Sequence, residues 1–152
     1  MSEQNPLGVI PHEASTEPTD YLYRISIKCL VRNENNDVLV VKEAGRDWWD
    51  LPGGGMDHGE TIKSVIAREM KEEVNLDGDF TYRVVDVENP GMLARIDAWQ
   101  IRLIFEIIPN VMEFSPGRDA NQIAFMNPDS FKNSELKAER MIYDYASIVS
   151  VV

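Results

Sequence analysis

Alternation of apolar and polar residues predicts most of the strands of this chain. Residues 21–31 alternate in this way, as expected of a half-buried strand. Residues 33–37 are rich in asparagine and acidic residues, which is typical of a turn, and residues 38–41 follow as a second strand. By the same signals, further strands are predicted at residues 82–87, 98–108 and 123–126.

Helical periodicity occurs in two segments. The first helix is predicted from residue 59 or 60 to Val74, and Asn75 can then take the left-handed conformation that ends many helices. Its apolar stripe comprises Ile62, Val65, Ile66 and Met70. A second helix is predicted at residues 134–148, with Leu136, Ile142, Tyr143 and Ala146 among its inward residues. The order β-β-α-β-β-β-α predicts an α/β fold in which a mixed sheet carries helices on both faces.

Composition indicates one globular domain and excludes several classes of protein. Residues 1–20 contain three prolines and no periodic pattern, so we interpret them as a flexible N-terminal arm before a single domain at 21–152. Cys29, the single cysteine, excludes an internal disulfide, and neither a signal peptide nor a membrane-spanning run is found, so a cytoplasmic location is expected. A net charge of −11 argues against binding to nucleic acid. The oligomeric state, including a homodimer, stays open.

Three glutamates conflict with the apolar pattern of the first helix. Glu69 and Glu73 project into the apolar arc, and Glu72 lies at its edge. Burying unpaired carboxylates costs free energy, and such conflicts tend to mark functional sites. Ion pairing is one explanation, but no basic residue shares the arc of Glu69 and Glu73. A hard divalent cation, with Mg²⁺ favoured and Mn²⁺ as a substitute, explains the cluster better.

The spacing of residues 54–76 is G-x5-E-x7-R-E-φ-x-E-E-x-N-φ, where φ is apolar. It resembles the signature of the Nudix, or MutT-like, family, G-x5-E-x7-R-E-U-x-E-E-x-G-U, where U is a bulky apolar residue. The matching residues are Gly54, Glu60, Arg68, Glu69, Met70, Glu72, Glu73 and Leu76. The one departure is Asn75, and we expect it to keep the turn because asparagine tolerates positive φ. The resemblance implies an α/β/α sandwich around a mixed sheet.

The resemblance also implies roles in metal binding and catalysis. Glu69, Glu72 and Glu73 would be the metal ligands on the helix, with the backbone carbonyl of Gly53 as another. The general base would be one of these glutamates, with Glu73 and Glu69 as candidates, or an acid from a later loop. Glu113 is a candidate for a further ligand or for that base, although it is equally explained as an exposed loop acid.

Other residues are candidates for structural or substrate-binding roles. Glu60 and Arg68 are expected to form a structural ion pair that fixes the loop at Gly54 against the helix. Several residues are candidates for contact with a substrate: the aromatic Trp48, Trp49, Trp99 and Phe125, the polar Asp119, Asn121 and Gln122, and the arginines Arg46, Arg95 and Arg102. Aromatic residues beside a sheet are more often part of the core, and arginines outside helices are usually on the surface.

The expected function is that of a nucleotide pyrophosphohydrolase. It would use Mg²⁺ to hydrolyse a phosphoanhydride bond in a nucleoside diphosphate linked to another group. Nucleoside triphosphates are favoured because the chain is compact, while substrates of the ADP-ribose or dinucleoside polyphosphate type stay open. The alternatives are a non-catalytic module that senses a nucleotide, and an isomerase of isoprenoid diphosphates. The presence of all the motif glutamates argues against the sensing module.

Overall fold

The computed structural model describes residues 9–11 and 18–148. In these residues the strands are β1 (Val9–Pro11), β2 (Pro18–Tyr21), β3 (Arg24–Leu30), β4 (Val38–Glu43), β5 (Gly53–Gly55), β6 (Phe80–Val87), β7 (Gly91–Leu93), β8 (Ala98–Pro109) and β9 (Ala120–Met126). The helices are α1 (Ile62–Val74), a short 3-10 helix (Pro128–Phe131) and α2 (Lys137–Ile148). Neither α1 nor α2 nor the 3-10 helix, the helices of the described ranges, is long and apolar enough to cross a bilayer.

Most of the predicted N-terminal arm, residues 1–20, lies outside the described residues. Within it, β1 and β2 pair with each other in the antiparallel direction. The flexibility of the arm and the domain boundary at residue 21 therefore stay predictions.

The central sheet is mixed, as predicted from the order of the elements. Its strands lie in the order β5-β3-β8-β6, and β7 pairs with another part of β8. The β3–β8 pair is parallel, whereas β5, β6 and β7 pair with their neighbours in the antiparallel direction. A second ladder joins β4 to β9, and single bridges connect β4 to Arg32 and Asp50.

The two faces of the sheet carry separate apolar clusters. On one face, Ile27, Cys29 and Val31 pack with the buried stripe of α1. On the other face, Leu30 and Ile104 pack with α2 and the 3-10 helix. Full burial of a side chain such as Ile27 contributes about 1.5–3 kcal/mol. The predicted fold class, an α/β/α sandwich around a mixed sheet, is confirmed.

Helix α1 begins two to three residues later than predicted because Thr61 caps it. The Thr61 hydroxyl accepts a hydrogen bond from the Ser64 N–H, and the Ser64 hydroxyl accepts one from the Thr61 N–H. Gly59, at φ 87, turns the chain just before this cap. At the other end Asn75 is left-handed, with φ 56, as predicted, and its N–H donates to the Lys71 carbonyl.

Some elements differ from the sequence-based predictions. Strand β5 has the sequence Gly-Gly-Gly and β7 has Gly-Met-Leu, so neither carries the alternation that marks a strand. The C-terminal helix begins at Lys137 instead of residue 134. Leu136, predicted to face inward, is therefore outside the helix and 46% exposed, while Tyr145 is buried instead.

Candidate active site

The last two turns of α1 place the three predicted acids beside one cavity. Glu69 and Glu73 lie on the buried face, with exposed fractions of only 7% and 3%, and Glu72 is half-buried. All three line a cavity of about 790 Å³, together with Gly53 and Glu43. The carboxylates thus occupy positions that the helical pattern alone would give to core residues.

Glu73 is the most deeply buried of these acids. Its Oε2 accepts a hydrogen bond of 3.1 Å from the Gly53 N–H. Burial raises its pKa to about 9, the nearby Lys28 opposes the rise, and Glu43 and Glu69 add to it. Burial thus disfavours the charged form of Glu73, and a cation beside it would favour that form.

Glu69 and Glu72 are held by arginines. Arg68 donates to Glu69 Oε1 at 2.9 Å and to Glu72 Oε2 at 3.4 Å, and Arg118 donates to Glu72 Oε1 at 2.9 Å. Burial raises the pKa of Glu69, and the charge of Arg68 opposes that shift. Arg68 does not share the helical arc of Glu69, but its long side chain reaches the Glu69 carboxylate from the outward half of the helix, so ion pairing contributes at Glu69.

Arg68 also connects the helix to the loop before it. Its Nε and Nη2 donate to the two carboxylate oxygens of Glu60 at 2.8 and 2.9 Å, and Nη2 donates to the Gly55 carbonyl. This pairing holds the pKa of Glu60 well below its usual range, at about 2. The bidentate pair joins the loop to α1, in the geometry expected of a structural ion pair.

Two glycines of β5 lie close to their neighbours, Gly53 to the backbone of β3 and Gly54 to the end of the Glu69 side chain. A Cβ on Gly53, whose φ is 148, would overlap the Ile27 carbonyl of the adjacent strand. A Cβ on Gly54 would lie 2.6 Å from Glu69 Oε1. The Gly-Gly pair therefore allows β5 to pair with β3 while the glutamates approach its backbone.

A loop after β8 caps the end of α1. The N–H groups of Ser115, Gly117 and Asp119 donate to the last carbonyls of the helix, those of residues 72–74. These bonds satisfy acceptors that a helix end otherwise leaves unpaired. The loop thereby brings Arg118 to Glu72 and places Asp119 on the cavity wall.

Another part of the cavity lining, the basic wall, belongs to the central sheet. Successive residues of a strand point to opposite faces, so Arg24, Ser26 and Lys28 of β3 share one face. In β8, Gln100 and Arg102 lie on the same face, in register with Arg24 and Ser26. All five residues line the cavity.

Sequence reasoning missed Arg24, Lys28, Glu43 and Gln100 as site residues. A signal for them was present, because a sheet covered by helices on both faces cannot expose the polar side of an inner strand to bulk water. Polar residues such as Lys28, paired with Asp50 at 2.9 Å, must therefore line a cavity or form buried pairs.

The structure brings some of the predicted substrate-binding residues into the cavity and leaves others outside. Trp48, Arg46, Asp119, Arg95 and Arg102 line it. The Arg46 guanidinium lies 5.5 Å from the centre of the Trp48 ring.

The other predicted residues lie elsewhere. Four of them do not line the cavity: Trp49, Trp99, Gln122 and Phe125. Asn121 is exposed on β9 and does not line the cavity. Glu113 is exposed in a separate depression with Asn75 and Asp77, so the structure does not bring it together with Glu73.

The donor set suits a hard divalent cation in its chemistry. Six acidic residues line the cavity beside the backbone of Gly53, namely Glu43, Asp50, Glu69, Glu72, Glu73 and Asp119. Oxygen ligands are those that Mg²⁺ prefers. As the side chains are placed, no three acidic, histidine or cysteine side chains in the described part of the chain converge on one point. The carboxylates that would bind a cation instead contact the Gly53 N–H and the side chains of Arg68 and Arg118.

Comparison with known proteins places the chain in a family. It matches the family described as NUDIX domain over residues 22–144. It is 26% identical over 136 residues to a MutT-like protein of Streptomyces ambofaciens, and the aligned region covers 90% of this chain and 79% of that protein. It is 38% identical over 76 residues to Nudix hydrolase 2 of Arabidopsis thaliana, and here the aligned region covers 47% of this chain and 27% of the relative.

The fold agrees with this match. A MutT protein of Methanosarcina mazei Go1 superimposes with a TM-score of 0.66 at 20% identity, over 82% of this chain and 93% of that chain. The match spans only about a quarter of the length of Nudix hydrolase 2 and of Nudix hydrolase 5 of Arabidopsis thaliana, 27% and 25%. The match over residues 22–144 nevertheless includes the whole glutamate helix and both strands of the basic wall, so this chain belongs to the Nudix family.

Proposed function

We propose that this protein is a Mg²⁺-dependent hydrolase of a phosphoanhydride bond in a nucleoside diphosphate linked to another group, with nucleoside triphosphates favoured. One observation carries the proposal: three carboxylates of α1 line a cavity that five basic residues also line. An acidic wall suits a divalent cation, and a basic wall suits the phosphates that such a cation accompanies. The Nudix family generally uses divalent metal ions.

Mg²⁺ would be held by Glu69, Glu72 and Glu73 with the carbonyl of Gly53, and would neutralise phosphate charge and make a bound water more acidic. Glu73 and Glu69 are the candidates for the group that accepts a proton from the attacking water, because both carboxylates line the cavity. The Glu60–Arg68 pair acts indirectly, since it fixes the loop and strand that face α1.

The basic wall would orient the phosphate chain. Lys28 and Arg102 already have acidic partners, Asp50 at 2.9 Å and Glu88 at 3.4 Å, which fix the positions of both cations. Cations held in place in this way bind phosphate with little loss of side-chain freedom. Trp48, stacked under Arg46, is a flat surface on which a base can lie.

The test is an assay of phosphate and pyrophosphate release from nucleoside triphosphates, ADP-ribose and dinucleoside polyphosphates, with Mg²⁺, with Mn²⁺ and with EDTA. We expect turnover only with a cation, and a fall of at least about a hundredfold in Glu73→Gln. The matched control is Glu113→Gln, because Glu113 lies outside the cavity.

Cation-dependent turnover that survives in Glu73→Gln would contradict the proposed site. Binding of a nucleotide without turnover on any substrate would favour the sensing module instead. The two outcomes are separated by measuring nucleotide affinity by calorimetry on the same samples.

A further inference from the structure

Strand β6 is an open edge of the central sheet. It pairs with β8 on one side, and within the described residues no strand pairs with it on the other side. This edge is eight residues long, Phe80–Val87, and an open edge offers backbone N–H and C=O groups to a further strand. Three apolar side chains of the strand are exposed, Tyr82 at 39%, Val84 at 54% and Val87 at 57%. The edge therefore combines backbone groups with apolar surface that a partner would cover.

The backbone groups of Tyr82 and Val87 point away from β8, toward the open side. Asp79 and Glu88, which flank the strand, both form backbone hydrogen bonds on the side of β8. In an antiparallel ladder, the backbone groups of successive residues point alternately to one neighbour and to the other. Counted from these two bonds, residues 82 and 87 point outward. In agreement, the Val87 N–H bonds to the Asp86 carboxylate at 2.9 Å and not to β8.

A bulge at Val85 brings two opposite charges to one face of the strand. Arg83 lies opposite Glu106, and Asp86 lies opposite Ile104, two residues further along the same face of β8. Residues three apart in a regular strand point to opposite faces, but Val85 is an extra residue that shifts the register. Arg83 and Asp86 therefore share the face that α2 covers further along.

The same bulge places Tyr82 and Val87 together on the other face. They lie opposite Ile107 and Leu103 of β8, which are four residues apart and so point to the same side. This strand thus carries one apolar pair and one charged pair, each arranged symmetrically about the point between residues 84 and 85.

A second copy of β6 matches this arrangement in one antiparallel register. With a two-fold axis between residues 84 and 85, Arg83 lies opposite Asp86 of the second copy, and Tyr82 lies opposite Val87 of the second copy. Members of each pair point to the same face, so their side chains meet, and the outward backbone groups of 82 and 87 face each other. A shift of one residue would set side chains of opposite faces against each other.

We propose that two copies of this chain associate through β6 in this register, which continues the central sheet across a two-fold axis. A two-fold interface has to be complementary to itself, and β6 meets that condition because both members of each pair come from the same strand. Two charge pairs across the axis also offset part of the repulsion between chains that each carry a net charge of −11. The inference does not depend on the proposed function, since no residue of the cavity takes part in it.

The first experiment measures association of the full chain by sedimentation velocity over a series of concentrations. We expect a monomer–dimer equilibrium with a dissociation constant of about 1–100 μM. Arg83→Glu and Asp86→Arg each set like charges opposite each other twice, so each should weaken the dimer by about tenfold or more. Lys137→Glu, which makes the same charge change as Arg83→Glu at the exposed start of α2, is the control and should leave the dimer unchanged.

Mixing the two charge variants tests the register itself. In an equimolar mixture, Arg83→Glu of one copy meets Asp86→Arg of the other, and the native Asp86 meets the native Arg83, so both pairs again join opposite charges. The mixture should therefore dimerise within about threefold of the wild type, although neither variant does so alone. A variant that had merely lost its fold would not be rescued by the other. A mixture that associates no better than its two components would overturn the register.

Amide hydrogen exchange on the wild type shows which surface is covered. Exchange at the outward Tyr82 N–H should slow as the concentration passes the dissociation constant, whereas the inward Arg83 N–H, which faces β8, serves as the reference and should change little. A dimer that leaves Tyr82 exchange unchanged uses another surface and would refute the proposal. A chain that stays monomeric up to about 500 μM would refute it as well, and would leave the β6 edge to a different partner.

Discussion

Glu73 is the residue at which the needs of folding and of function conflict most. Its side chain is 3% exposed, and its hydrogen-bond donor is the Gly53 N–H. A buried carboxylate with this environment is costly when charged, so the residue is poorly explained as a stabilising element. A bound divalent cation provides a reason for a carboxylate at this position.

The pH dependence of stability tests this conflict. Since burial raises the Glu73 pKa from 4.5 to about 9, the folded protein without metal keeps a proton that the unfolded chain releases in this range. The free energy of unfolding therefore falls as pH rises between these values. Glu73→Gln cannot ionise, so in EDTA at about pH 8 it should be more stable than the wild type by at least about 1 kcal/mol.

Urea denaturation at about pH 5 and about pH 8 measures both proteins. The difference between them should be smaller at the lower pH, where Glu73 costs less because both states approach the protonated form. If the wild type and Glu73→Gln were equally stable at both pH values, Lys28 would be shown to compensate the negative charge of Glu73.

Asn75 is the one departure from the family motif, and the structure gives it a partner that the sequence did not indicate. Its Nδ2 donates to the Ser115 hydroxyl at 3.0 Å, at an exposed position. Asn75→Gly loses this bond but fits the left-handed φ of 56 without strain, so we expect activity to be kept and stability to change by less than about 1 kcal/mol.

Two further variants separate the contributions at Asn75. Asn75→Ala should be less stable than Asn75→Gly by about 1–2 kcal/mol, because alanine resists the left-handed conformation. Ser115→Ala isolates the hydrogen bond. Thermal and urea unfolding measure all three, and a loss of more than about 2 kcal/mol in Asn75→Gly would mean that the Ser115 contact anchors the capping loop.

At the scale of elements, the helices and strands that show a periodic pattern could be predicted from the sequence. Elements that form through contacts between distant residues could not. Helix α1 and the long strand β8 follow from their patterns. Strand β5 could not be predicted, since three glycines carry no pattern and pair only because Gly53 can approach Ile27. The capping loop at 115–119 likewise forms because the end of β8 lies near the end of α1, and the local sequence does not specify that proximity.

Gly53 and Gly54 of β5 offer a matched pair of substitutions. In Gly53→Ala the new Cβ meets the backbone of β3 at a φ of 148, so we expect a loss of stability on the order of 3 kcal/mol or more. In Gly54→Ala the Cβ meets the end of the flexible Glu69 side chain, which can move.

Gly54→Ala should therefore keep its stability within about 1 kcal/mol but lose about tenfold to a hundredfold in turnover, because Glu69 is displaced. Unfolding curves and the cation-dependent assay measure the two effects on the same samples. Similar stability losses in both variants would show that the Glu69 side chain is not free to adjust.

For the whole molecule, charge is the dominant consideration. The chain carries a net charge of −11, so it repels an anionic substrate at long range. Within the cavity, however, the basic wall together with the proposed divalent cation would offset this negative charge. The acidic balance and the glutamate cluster could be predicted from the sequence. The basic wall could not, because its members come from β3, the turn between β7 and β8, and β8 itself.

Unfolding of the whole domain provides the final test, since a ligand that binds only the folded state stabilises all of it. Mg²⁺ at about 100 times its dissociation constant should add about 2.7 kcal/mol, or roughly 5–10 °C in Tm for a domain of this size. General screening of an acidic protein also stabilises it, so NaCl at equal ionic strength is run in parallel. Screening cannot distinguish one glutamate from another, whereas a specific site can. We therefore expect Glu73→Gln to lose the Mg²⁺ shift and Glu113→Gln to keep it; equal shifts in both would assign the effect of Mg²⁺ to net charge alone.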